Sequence, residues 1–237
     1  MRQESRAPGL LTGLATDLAG MFPPKSSGSA LLAVALLLQI AYWYFGAPGP
    51  ATPRDPAHAL RSVLWAVLLL GLLPLLLARP LGLLPKRLGL RRGDPAAGRQ
   101  ALLLGLLLVI PLGWFASGDP AIRLAYPWPG AWAGSGILAF ASWAVIYSLY
   151  YLSYEFFFRG FLLRGLQPTF GRYGALWIQT LASTLLHLGK PLVETVAAFP
   201  AGLLFGLVAL RTRSLYYVVA IHLALGLVTD LFILVRT

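Results

Sequence analysis

The chain has 237 residues, 58% of them hydrophobic and 11% charged, with no cysteine and a formal net charge of +11; its mean hydropathy is +0.73. These values lie outside the soluble globular range and make lipid the main solvent of the fold. The lack of cysteine excludes disulfides, thiolate metal sites and cysteine nucleophiles.

Residues 1–27 read as an N-terminal interfacial segment. Leu10, Leu14, Leu18 and Met21 share one helical face, which suits a helix lying on the membrane surface. Glu4 and the missing cleavable apolar core argue against a signal peptide. Apolar runs long enough to cross about 30 Å of hydrocarbon then follow at roughly Ser29–Phe45, Leu60–Ala78, Gln100–Ala116, Ala131–Leu152 continuing to Leu166, Gly174–Leu188, Thr195–Leu210 and Leu215–Val235. The fifth and sixth runs are short, which leaves an eighth segment or a broken helix open. The expected fold is all-α, a polytopic membrane protein of about seven to eight transmembrane helices. One transmembrane domain spans 28–237, with its motif-bearing core at about 131–237.

Seven spans require Lys and Arg to collect in alternate loops. With the N-terminus on the cytoplasmic side, the inner segments hold thirteen basic residues, from Arg2, Arg6 and Lys25 to Arg211 and Arg213, and the outer segments hold five. The positive charge therefore sets topology, and a nucleic-acid partner has little support. The dense run "RPLGLLPKRLGLRRGD" (residues 79–94) also suits anionic lipid head groups.

Ionisable groups inside a bilayer are costly and are functional candidates for that reason. Here they are Glu155 and Arg159 in the fourth span, His187 in the fifth, and His222 with Asp230 in the seventh. His58, in a polar outer loop, reads as solvated. Residues four apart share a helical face, so Tyr151, Glu155 and Arg159 form one stripe, Gln179, Ser183 and His187 a second, and His222, Gly226 and Asp230 a third. At 1.5 Å per residue, Glu155, His222 and His187 lie about 16, 11 and 20 Å from the cytoplasmic ends of their spans. One carboxylate and two imidazoles at a common depth are the parts needed to activate water and hold an oxyanion. The plainer alternative is a Glu155–Arg159 pair that only neutralises itself, with core histidines beside it.

These residues resemble the glutamic-type intramembrane proteases that include type 2 CAAX prenyl endopeptidases and bacteriocin-processing proteins, the CPBP family. Its marks are Glu-Glu-x-x-x-Arg-Gly on one helix, a His closing the next span, and His-x-x-x-Asn on a later one. The chain has Tyr154-Glu155-Phe-Phe-Phe-Arg159-Gly160, then "TLLH" ending at His187, then "YYVVAIHLALG" with His222. The match covers about the C-terminal half. Two positions depart from the pattern: Tyr154 stands where the first glutamate is usual, and Gly226 replaces the asparagine. Asp230, one turn beyond Gly226, and Glu194, in "HLGKPLVE", are candidate accessory carboxylates. Glu194 is equally well read as the partner of Lys190 at the outer interface.

The resemblance implies hydrolysis of a peptide bond near the end of a membrane-attached protein or peptide in the lipid bilayer. Glu155 and His187 would activate water, His222 would stabilise the oxyanion and Arg159 would orient Glu155. It also implies a bacterial inner-membrane protein. No cofactor is expected; two histidines and a carboxylate have the donor chemistry of zinc, but no HExxH spacing is present. Three rivals stay open: a scaffold or immunity protein that has lost activity, a serine hydrolase using Ser135 with His187, and, least favoured, a transporter.

Overall fold

The computed structural model describes residues 10–21, 28–49 and 51–236. Among the described residues ten α-helices run in chain order: α1 (Leu10–Met21), α2 (Gly28–Phe45), α3 (Pro56–Ala66), α4 (Leu73–Ala78), α5 (Pro95–Ala116), α6 (Pro120–Ala125), α7 (Ile137–Glu155), α8 (Leu163–Leu185), α9 (Leu192–Thr212) and α10 (Tyr216–Arg236). Leu10, Leu14 and Leu18 of α1 are exposed, while Arg2, Glu4, Arg6 and Lys25 lie outside the described residues.

Among the described residues, six helical stretches are long and apolar enough to cross a membrane: Gly28–Phe45, Pro56–Ala78, Pro95–Ala116, Ile137–Leu185, Leu192–Thr212 and Tyr216–Arg236. The fold is an all-α polytopic membrane protein. Its fourth stretch joins the fourth and fifth spans expected from sequence. Gly171, at φ 68° and ψ 176°, breaks the helix inside α8, a conformation glycine adopts without a Cβ penalty.

Asp-Pro pairs begin three helices. Asp55, Asp94 and Asp119 each cap exposed backbone N–H groups with a side-chain oxygen, and the following Pro56, Pro95 and Pro120 occupy the first turn, where no N–H is needed. His58 Nδ1 also lies 2.8 Å from Asp55, so this histidine belongs to the cap.

Two π-helical segments, Val67–Leu72 and Phe156–Leu162, interrupt otherwise continuous helices and pack against each other. The first precedes Pro74, which has no N–H to complete a regular turn. The second contains Arg159 and directly follows Glu155, widening the backbone where the polar stripe begins. Helices α5 and α10 pack along three α5 glycines. A Cβ at Gly98 would strike Tyr217, one at Gly105 would lie 2.6 Å from Ile221, and one at Gly113 would lie 2.8 Å from Val228.

Candidate active site

Glu155 is the last residue of α7 and is fully buried, at 0% exposure. Its Oε1 accepts a 2.6 Å hydrogen bond from His222 Nδ1 on α10. Its Oε2 lies 3.3 Å from Arg159 Nε, within ion-pair distance but without hydrogen-bond alignment. The Arg159 guanidinium also sits 5.6 Å from the Tyr154 ring, 5.8 Å from Phe158 and 5.7 Å from Phe205, so aromatic faces stabilise the cation that the carboxylate only partly neutralises.

His187 lies in the turn between α8 and α9, just beyond the end of α8. Its Nδ1 is 2.8 Å from the Ser183 carbonyl oxygen. A carbonyl can only accept, so Nδ1 carries the hydrogen and Nε2 presents a lone pair. Burial, reinforced by the nearby Lys190 cation, pushes the imidazole pKa down to about 4. Thr195 Oγ1 donates to the His187 carbonyl at 2.7 Å and pins the turn.

The Nε2 lone pair lies 3.9 Å from Glu194 Oε1 on the first turn of α9. Two donors already hold that oxygen, Lys190 Nζ at 2.9 Å and the Tyr126 hydroxyl at 2.8 Å. Burial, with the Glu194 charge adding to it, pushes the Tyr126 phenol pKa well above its ordinary value, so the hydroxyl stays a donor. Glu194 Oε2 is buried with no partner among the described residues.

Tyr154 joins the two halves of the site. Its ring centroid is 5.5 Å from that of His222 and 6.2 Å from that of His187. Tyr151, one turn earlier, lies 4.5 Å from the His222 ring. A Cβ at Gly226 would collide with the Tyr151 hydroxyl, so the space an asparagine side chain would need is filled by a phenol. Asp230 is fully buried but directed elsewhere, its Oδ2 accepting from Trp143 Nε1 at 2.8 Å. Ser135 is exposed and donates to the Trp132 carbonyl.

The structure therefore unites Glu155, Arg159 and His222, brings His187 to them across Tyr154, and adds Glu194 beside His187. Tyr126 belongs to this cluster and was not evident from sequence, because it lies 68 positions before Glu194; an aromatic in a Tyr-Pro-Trp loop has no helical register to assign it. Among the described residues, no three His, Asp or Glu side chains converge as metal ligands. Glu155 Oε1 is bound to His222 and Oε2 faces Arg159.

The family model of the type II CAAX prenyl endopeptidase Rce1-like proteins matches residues 136–228, the segment holding Glu155, Arg159, His187, Glu194 and His222. Over that segment, less than half of the chain, the sequence is similar to the CAAX prenyl endopeptidases. Neither the curated proteins nor the solved structures contain a match to the chain.

Proposed function

We propose that the chain is an intramembrane endopeptidase that cuts close to the C-terminus of a membrane-attached protein or peptide, with a lipidated or sorting-tail segment as substrate. The observation that carries this reading is the pair of imidazoles, His187 and His222, each beside its own carboxylate and separated by one tyrosine ring. His187, neutral and with a bare Nε2, accepts a proton from water. Glu155 orients His222 through Nδ1, as a carboxylate orients the imidazole in a hydrolytic triad, and so sets the direction in which the ring faces a developing oxyanion. Arg159 Nε, 3.3 Å from the other carboxylate oxygen, holds Glu155 in that orientation. Hydroxide adds to the scissile carbonyl carbon, the C–N bond breaks, and the proton on His187 leaves with the amine.

The test is cleavage by the purified protein in proteoliposomes of an internally quenched peptide bearing an S-farnesyl cysteine fourth from its C-terminus. Release of the C-terminal fragment is expected, with His187→Ala and His222→Ala each lowering turnover on the order of 10²-fold or more while size-exclusion profiles stay unchanged. Full activity in both variants would overturn the reading. No cleavage by the wild type, of this peptide or its unprenylated form, would favour a scaffold built on the same fold.

A further inference from the structure

We infer that Glu194 is a catalytic residue that, together with His187, holds the attacking water. The inference rests on the endopeptidase reading above. It begins from a mismatch in hydrogen bonding: His187 Nε2 and the Glu194 carboxylate are both acceptors, yet they face each other at 3.9 Å. That distance is too long for a direct hydrogen bond, and two acceptors need a donor between them. A water molecule satisfies both, directing one hydrogen to Nε2 and the other to the carboxylate, whose Oε2 has no partner among the described residues.

The two carboxylates of the cluster differ in what they have left to give. Glu155 has no exposure, a 2.6 Å bond on one oxygen and a guanidinium beside the other; it is occupied in fixing His222. Glu194 is partly exposed and carries Lys190 and Tyr126 on Oε1 alone. Those two donors hold the carboxylate in place and leave its second oxygen for water. Tyr126 and Lys190, the two donors to Glu194, also line a cavity of about 320 Å³ together with Arg54, His58, Ser62 and Trp128, a route by which solvent would reach the site.

As the water oxygen attacks the carbonyl carbon, its proton passes to His187 Nε2, and the anionic Glu194 stabilises the imidazolium formed. Collapse of the tetrahedral adduct breaks the C–N bond and returns that proton to the leaving amine. Glu194 begins and ends ionised.

The experiment uses the same proteoliposomes and farnesylated peptide with Glu194→Gln, Glu194→Asp, His187→Ala and the double variant His187→Ala/Glu194→Gln. Glutamine retains oxygen acceptance from Tyr126 and Lys190 but lacks the charge. Its kcat is expected to fall on the order of 10²-fold with KM within about 3-fold of wild type, and the double variant to be no slower than His187→Ala alone, because residues acting on one water lose activity as a unit. Glu194→Asp, which keeps the charge, should recover part of the loss. Wild-type rates in Glu194→Gln, or losses that multiply in the double variant, would overturn the inference while the endopeptidase reading stands. An inactive wild type, or one insensitive to His187→Ala, would overturn both. Should Glu194→Gln fail to fold, the aspartate variant decides alone: a rate no better than that of His187→Ala overturns the role.

Discussion

At the residue scale, a buried charge persists only when other groups compensate its desolvation. Glu155 and Arg159 meet that condition together with His222 and three aromatic faces. The helical spacing predicts the Glu155–Arg159 contact; the bond to His222 comes from a helix 67 positions away and depends on how α10 is rotated against α7. Gly226 shows how closely that rotation is set. It places the α10 backbone against the Tyr151 hydroxyl and within 3.0 Å, measured from a hypothetical Cβ, of the Tyr147 ring. Gly226→Ala is therefore expected to destabilise the protein by about 1–3 kcal/mol, the usual cost of overpacking, and to weaken activity by displacing His222 one turn away. Tyr151→Phe, which removes the colliding oxygen, should return part of that stability in the double variant, since side chains in contact couple. Thermal unfolding in detergent of both single variants and the double variant checks this; strict additivity would show that the two residues do not meet.

At the element scale, close approach of helices in lipid depends on small residues, because lipid tails give no hydrophobic drive for association. Gly202 and Gly206 of α9 face α8: a Cβ on Gly202 would lie 3.1 Å from Ser183 Oγ, and one on Gly206 would collide with Leu176 and lie 2.8 Å from Gln179 Nε2. Gln179 is fully buried and donates to the Gly202 carbonyl at 3.0 Å, so the same contact aligns the two helices joined by the His187 turn, the second of which carries Glu194. Gly206→Leu should lower the yield of folded protein before it affects chemistry, and normal thermal stability of that variant in detergent would show that the face is not packed. That this face of α9 packs closely was legible in the sequence, because glycines four apart fall on one face of a helix; that α8 is the helix packed there was not. The α5 glycines at 98, 105 and 113 were not, because spacings of seven and eight define a face only once α10 lies along it. The spans and their polar stripes followed from hydropathy and helical period. The π-helical segment at Phe156–Leu162 has no signature in either, since it reflects how α7 and α8 join around packed neighbours.

At the scale of the whole molecule, the chain sorts its loops into two ends. At one end Arg164 Nη2 donates to the Ala209 carbonyl, the Asp94 N–H to Thr212 and the Leu215 N–H to Gly89, bringing together the loops that carry Arg79, Lys86, Arg87, Arg91, Arg92, Arg211 and Arg213. At the other end Arg54 Nη1 donates to the carbonyls of Arg123 and Tyr126, and Trp43 Nε1 to that of Leu188; basic residues are sparse there. Cytoplasmic loops retain Lys and Arg, so the crowded end is expected to face the cytoplasm, and the Lys190–Glu194 side of the site, with its cavity, lies toward the opposite face. The cysteine-free sequence makes the test direct, because a single introduced thiol is the only one present. In sealed right-side-out vesicles, a membrane-impermeant maleimide should label Arg123→Cys at once and Arg91→Cys only after the membrane is permeabilised. Labelling in the reverse order would invert the protein in the membrane, placing the cavity, and the water supply inferred for Glu194, on the cytoplasmic side while leaving the geometry of the site unchanged.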